Sequence, residues 1–159
     1  MPLVRLKIRP QFLKIAAKGR KAVRPTLLMQ GLKLNDHEQT RAKALARKSH
    51  VTEAVFVGFT ASKKVGNAVA RNRAKRRLTH LANDLLPASG RSGWGYVVIA
   101  RAAAVAAPHA NLKQDMMKAI NSLHRENRSP HENNPHQEKA NNNLPRKNKP
   151  HQDRPNARA

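Results

Sequence analysis

After about His124 the sequence loses every feature from which a packed element could be built. From Arg125 to Ala159, the runs Asn133-Asn134 and Asn141-Asn142-Asn143 are interleaved with prolines at 130, 135, 145, 150 and 155, and Leu144 is the one large apolar residue. Proline fixes φ and removes a backbone donor, so neither a helix nor a ladder continues through such spacing. The segment cannot bury enough apolar surface to offset its ordering entropy. Residues 125–159 are therefore expected to be a disordered, basic, Asn/Pro/His-rich tail. Any fold must be made from residues 1–124, a length that suits one domain.

The charge sits in that folded part. The chain has 32 Lys and Arg against 9 Asp and Glu, a formal charge of +23. The tail holds 8 of the cations and 4 of the acids, which leaves 24 and 5, or +19, in residues 1–124. Such a field draws in phosphate polymers or anionic lipid from a distance. The absence of cysteine excludes disulfides, thiolate zinc sites and a cysteine nucleophile. No run approaches the roughly 18 apolar residues of a membrane span, and Met1-Pro2-Leu3-Val4-Arg5 opens no secretory apolar stretch. The expectation is a cytoplasmic nucleic-acid-binding protein with no membrane partner.

Residues 1–124 read as mixed α and β. Residues 10–19 form a short helix, with Pro10 in its first turn and Gly19 at the αL position after its end. Residues 27–32 and 55–59 read as strands, the second rich in β-branched and aromatic residues. Between them Asn35 to Thr52 is long and polar, with helical propensity over 41–48. A long helix runs from about Asn67, its N-cap, to Leu86, ended by Pro87 and Ser89-Gly90. Residues 96–100 read as a buried strand, and residues 111–123 as a closing helix with Ala110, Met117, Ile120 and Leu123 on its apolar face.

The segment Ser62–Leu78 is the most informative. It carries Lys63, Lys64, Arg71, Arg73, Lys75, Arg76 and Arg77 and no acid. Helical spacing puts Ala74, Leu78, Leu81 and Leu85 on one stripe and Asn72, Arg73 and Arg76 opposite, with Arg77 toward one edge and Arg71 and Lys75 nearer the stripe. A merely solvated face normally alternates its signs, because like charges at i,i+4 repel; here Arg71–Lys75 and Arg73–Arg77 are like-charged, with no acid before Asp84. Planar guanidinium forks match phosphate oxygens in bidentate fashion. The Gly66-Asn67 entry adds free helical N–H groups beside Lys63 and Lys64, a weaker anion-binding feature.

The ordered run Lys63-Lys64-Val65-Gly66-Asn67-Ala68-Val69, then Arg71-Asn72-Arg73, then Lys75-Arg76, resembles the "RNR" helix of the protein subunit of bacterial ribonuclease P. The flanking strands Val57–Ser62 and Tyr96–Arg101 agree, as does Phe12 in the first helix, so the resemblance covers about Leu6 to Leu123. It implies an α+β fold: a two-layer α/β sandwich with a central, roughly four-stranded sheet and a left-handed β-α-β crossover, a hand that departs from the usual rule.

The resemblance also implies a function. Members of the family pair with a large catalytic RNA to remove the 5′ leader from precursor tRNA, as subunit of a ribonucleoprotein endoribonuclease. The RNA, with its Mg²⁺, does the chemistry; the protein itself binds no cofactor or metal, has no catalytic residue and takes no small-molecule substrate. It broadens substrate specificity and lowers the Mg²⁺ requirement. RNA-subunit contacts transfer onto Lys63, Lys64, Asn67, Arg71, Asn72, Arg73, Lys75 and Arg76; Arg77 is added on electrostatic grounds. The single-stranded leader is assigned to a cleft between the first helix and the sheet, at Phe12, Gln30, Thr60, Ser62, Lys64 and Arg101. Phe12 has two readings, a stacking platform for a base or ordinary core packing. Ala16 and Gln30 stand where some relatives carry aromatics, so hydrogen bonds and charge are expected to do more here.

The residues themselves suit a protein without its own active site. Asp36, Glu38, Glu53, Asp84 and Asp115 are scattered, with no acid/base dyad or two-metal spacing. Three other readings compete. A small basic ribosomal or general RNA-binding protein fits the charge and size. An architectural DNA-binding protein would need a groove-reading element, and a protein nuclease would need a carboxylate constellation.

Overall fold

The structure, a computed structural model, describes residues 1–125. The body of the expected tail, residues 126–159, lies outside the described residues. In chain order the elements are β1 (Leu3–Arg5), α1 (Arg9–Lys18), β2 (Arg20–Val23), β3 (Leu27–Lys33), α2 (Asp36–Leu45), β4 (Val55–Ala61), α3 (Ala68–Ser89), β5 (Trp94–Ala100) and α4 (His109–His124). Short 3₁₀ turns at Lys63–Val65 and Ala102–Ala104 precede α3 and follow β5.

The strands form one mixed sheet in the order β1-β4-β5-β3-β2. β1 and β5 run parallel to β4, whereas β3 runs antiparallel to both β5 and β2. Parallel neighbours β4 and β5 are joined by α3, which is the β-α-β unit the resemblance leads one to expect. The sheet has five strands rather than about four, because two short edge strands, β1 and β2, flank the three that the apolar runs foretell.

Residues paired directly across strands share a face. One face carries Val57, Tyr96, Met29 and Ala22 and their neighbours two residues along, Phe59, Val98 and Leu27. It is buried under α3, through Ala74, Leu78, Leu81, Ala82, Leu85 and Leu86, and under α4, through Leu112, Met116, Ala119, Ile120 and Leu123. Full burial of each such leucine or isoleucine stabilises by about 1.5–3 kcal/mol. The opposite face carries Val4, Phe56 and Val97 and forms a smaller core with Ile15 of α1 and Ala42 of α2. Helices thus lie against both faces of the sheet, in the α+β class that the resemblance implies.

Several expectations about single elements need correction. Helix α2 starts at Asp36, well before residue 41, because Asn35 and Glu38 close a capping box: the Asn35 side chain accepts from the Glu38 amide at 2.9 Å and Glu38 accepts from the Asn35 amide at 3.0 Å. Helix α3 runs through Pro87 to Ser89, since a proline in the last turn removes a single bond and the Gly90 amide still reaches Leu86 O at 2.8 Å. Gly19 is extended (φ −78, ψ 157) rather than αL. Its glycine is required by crowding: a Cβ there would lie 2.4 Å from Ile15 O and 2.9 Å from Gly31 O. On α4, Ala110 and Met117 are exposed, and the buried stripe is Leu112, Met116, Ala119, Ile120 and Leu123.

Candidate nucleic-acid interface

Helix α3 is positioned by a joint that only glycine can make. Between the 3₁₀ turn and the helix, Gly66 takes φ 142 and ψ −158, a region closed to side-chain-bearing residues. Asn67 follows as N-cap, its side chain accepting from the Ala70 amide at 2.9 Å. The apolar stripe is then committed to the sheet, and the opposite side faces outward: Lys63, Lys64, Asn67, Asn72, Arg73 and Arg76 are exposed, with Arg71, Lys75 and Arg77 half-buried. Among the described residues the ion pairs are Lys14–Glu38 and, at 3.8 Å, His80–Asp84. Among the described residues none of the cations between Lys63 and Arg77 has a carboxylate partner. Repulsion along this face is held in place by the core beneath it.

Arg77 differs from its neighbours. Its guanidinium donates to the carbonyls of Ala104 at 2.8 Å and Val105 at 2.9 Å and to that of Ala107. It ties α3 to the turn leading into α4 while keeping its charge. Backbone carbonyls occur at every residue, so no sequence signal distinguishes this clamp from a free surface arginine.

Of the residues assigned to the leader, Phe12, Gln30 and Thr60 lie on the other face. Gln30, Val97 and Gly58 form one row across β3, β5 and β4, and Lys21 of β2 continues it beyond Gln30. Phe12 of α1 covers the far end: a Cβ on Gly58 would lie 2.4 and 2.5 Å from its ring carbons. The ring is half-buried, packed on one side against β4. Thr60 pairs with Ile99 one step along the same face, and both are half-buried. Gln30 is 7% exposed, and its Oε1 accepts no hydrogen bond from the described residues. A buried acceptor left without a partner costs about 1–3 kcal/mol. Ser62 and Lys64 are exposed just past the end of β4, and exposed Arg101 follows β5, donating to Arg24 O at 2.9 Å. Phe12, Gln30 and Thr60 therefore share one strip of sheet, whereas Ser62, Lys64 and Arg101 stand at the strand ends. Sequence reasoning missed Lys21, whose place opposite Gln30 depends on a strand it did not foresee.

The acids serve local structure. Asp115 accepts from both the amide and the hydroxyl of Thr26, at 3.1 and 2.7 Å. Burial raises the Glu38 pKa, but the hydrogen bonds from Lys14 and the Asn35 amide, with the charges of Lys14 and Lys18, outweigh it and hold the carboxyl below its usual range. Among the described residues no three His, Cys, Asp or Glu side chains converge as a metal site, and no helix is long and apolar enough to cross a membrane.

A family model described as Ribonuclease P matches residues 2–124. This chain belongs to the ribonuclease P protein family. It is similar to the ribonuclease P protein component of Ruegeria pomeroyi, 42% identical over 120 residues that cover 75% of this chain and 85% of the relative. It is also similar to that of Paramagnetospirillum magneticum, 39% identical over 118 residues covering 74% and 80%. Its fold matches the ribonuclease P protein of Staphylococcus aureus, with a TM-score of 0.55, 22% identity and coverage of 75% of this chain and 94% of that one. The protein from Thermotoga maritima gives the same TM-score at 19% identity. Membership of this family ties the chain to ribonuclease P, a ribonucleoprotein of tRNA processing.

Proposed function

We propose that this chain binds the catalytic RNA of ribonuclease P along α3 and holds the single-stranded 5′ leader of precursor tRNA against the strip beside α1, so that the RNA removes the leader at the mature 5′ end. The observation that carries this reading is the division of α3. Six residues are locked into the core, and an outward face of cations has no carboxylate partner among the described residues. Phosphate oxygens supply the missing countercharge. RNA-subunit contacts belong to Lys63, Lys64, Asn67, Arg71, Asn72, Arg73, Lys75 and Arg76. Arg77 contributes charge but holds the α4 approach with its hydrogen bonds. The leader contacts are Phe12, Gln30, Thr60, Ser62, Lys64 and Arg101. A base edge that donates to Gln30 Oε1 would satisfy that buried acceptor.

Mg²⁺ is placed on the RNA. The donor set of the protein fits a magnesium site poorly: Asp115 is spent on Thr26, Glu38 on Lys14 and the α2 cap, and Asp84 faces His80. The protein's part is to neutralise phosphate repulsion between RNA subunit, tRNA and leader. That lowers the Mg²⁺ needed for cleavage and broadens the range of precursors accepted. The activity is cytoplasmic in this reading.

The test is 5′ processing of a precursor tRNA at low Mg²⁺ by the protein alone, by bacterial ribonuclease P RNA alone, and by both. Cleavage at the mature 5′ end by the mixture only is the expected result. A mixture no better than RNA alone, with tight RNA binding retained, would favour a ribosomal or general RNA-binding role. Cleavage by the protein alone would reveal a nuclease of its own.

A further inference from the structure

The sheet order puts β1 at one edge, with α3 packed on β4 and β5 and α4 on β3 and β2. Helix α3 therefore has α4 along one flank and the β1 edge along the other. Arg77 belongs to the α4 flank, where its guanidinium is spent on the carbonyls of Ala104, Val105 and Ala107. Two residues turn a helix by about 200°, so half-buried Lys75 stands on the β1 flank. One cation outside α3 shares that flank. Arg5 ends β1 opposite Val57, and the Leu6 amide donates to Val57 O at 2.9 Å. Leu3, two residues earlier and so on the same side of the strand, packs on the core beneath α3, whereas Val4 packs in the core of the opposite face. Arg5 thus points to the α3 side. Its guanidinium lies over the Phe59 ring, 4.7 Å from the centroid, two residues past Val57 in the direction of Lys63 and Lys64. Phe59 is buried and Arg5 is exposed. Among the described residues the Arg5 N–H groups have neither a hydrogen-bond acceptor nor a carboxylate partner.

We propose that Arg5 is a phosphodiester contact for the catalytic RNA, which makes the end of β1 a second element of the RNA interface beside α3. The ring takes one face of the guanidinium and leaves its edge, where the N–H groups point, open for phosphate oxygens. A fork whose plane is fixed beforehand loses less freedom when it binds, and its two parallel N–H donors suit a phosphate. The proposal rests on the reading that α3 faces that RNA. It widens the contact from one helix to the flank between α3 and the β1 edge, with Lys75 on the helix side.

The test uses the full chain, ribonuclease P RNA and precursor tRNA. Arg5→Gln should weaken RNA-subunit binding about three- to tenfold and lower the log–log salt slope by about 0.7–0.9, the share of one phosphate. Arg5→Lys keeps the charge but not the planar fork, so it should keep the slope and restore part of the affinity. Lys113→Gln removes an exposed charge from α4 and should leave the slope unchanged. Equal slope losses in Arg5→Gln and Lys113→Gln would mean a response to net charge alone and overturn the contact. Wild-type affinity and slope in Arg5→Gln, with a lowered denaturant midpoint, would mean that Arg5 only covers Phe59, and would overturn it too. A loss confined to precursor tRNA binding by the assembled holoenzyme would put Arg5 on the substrate and overturn the assignment to the catalytic RNA. Each of these outcomes leaves the proposed function intact, whereas no RNA binding by wild type overturns both. A second variant keeps the charge and removes the platform: Phe59→Leu should lower RNA-subunit affinity about two- to tenfold, the cost of immobilising one long side chain on binding, at an unchanged slope. Unchanged affinity in folded Phe59→Leu would overturn the role of the stack.

Discussion

On one face of the sheet, α3 and α4 cover Val57, Tyr96, Val98 and Met29 completely; on the other, α1 covers Val97 and Gly58 but leaves Thr60 and Ile99 half-exposed and Gln30 buried with an unpartnered oxygen. The first face is apolar apart from the Tyr96 hydroxyl, which is bonded to Arg91 and His124, and the cations stand on the outer side of α3. The second keeps its polar chemistry on the sheet itself. Each arrangement solves a different problem. Many like charges can be held close together only on a rigid element whose other side is deeply anchored. In the proposed function, recognition of a single strand with few aromatics needs a floor that is partly dry and partly hydrogen-bonding.

If that contrast is right, the largest effect comes from the anchored side. Leu78→Ala should cost about 2–5 kcal/mol of stability, the range for a fully buried leucine, read as a drop in denaturant midpoint. A change below about 1 kcal/mol would mean that α3 is less firmly anchored than its burial implies. Next is Gly58→Ala, which forces a methyl against the Phe12 ring and should cost about 1–3 kcal/mol by overpacking. Adding Phe12→Ala to that variant should recover part of the loss. If it does not, the clash lies elsewhere.

Phe12→Ala alone sharpens the contrast most. Base–aromatic stacking contributes about 1–3 kcal/mol per base, so affinity of the holoenzyme for precursor tRNA should fall about 5- to 150-fold while affinity for mature tRNA holds. An unchanged precursor affinity in a folded variant would return Phe12 to core packing and remove the leader cleft from α1.

The smallest effect concerns the far end of α4. Burial, with the charges of Arg91 and Arg20, holds the His124 pKa below the usual imidazole range. The Tyr96 hydroxyl accepts from the Arg91 amide at 3.1 Å and lies 2.6 Å from His124 Nε2. Burial raises the Tyr96 pKa, so its proton stays available to neutral His124. A histidine whose folded pKa is depressed binds its proton more weakly in the folded state. Its contribution is whole above the unfolded value of about 6.5 and is lost as pH falls below it. The denaturant midpoint should drop between pH 7.5 and 5.5, and His124→Gln should drop less. Equal drops would clear His124 of the effect.

The same contrast governs what could be read from the sequence. Helix α3 was legible because Ala74, Leu78, Leu81 and Leu85 repeat at helical spacing beside an unbroken run of cations. The three inner strands were legible as apolar runs. β1 and β2 were not, since Leu3-Val4-Arg5 and Arg20–Val23 each bury one residue fully, and their strand state comes from pairing with distant neighbours. The start of α2 was legible in principle, as Asn35 and Glu38 three residues apart, but Ala42 is its one fully buried residue and gives no periodicity. Of the candidate site, the α3 face could be found from local pattern. The juxtaposition of Lys21, Gln30 and Phe12 could not, because it depends on strand register across the sheet.

Trp94, the one tryptophan of the chain, has its ring 5.8 Å from His124, edge to face, and the Arg91 guanidinium 5.7 Å above it. An imidazolium quenches indole emission more strongly than a neutral imidazole does. The fluorescence of this residue consequently reports both whether the end of α4 is seated on β5 and whether His124 carries a proton. Emission should dim as pH falls through the folded pKa of His124, and in His124→Gln it should be flat over the same range. The molecule carries a single-site optical gauge at the point where the described fold ends.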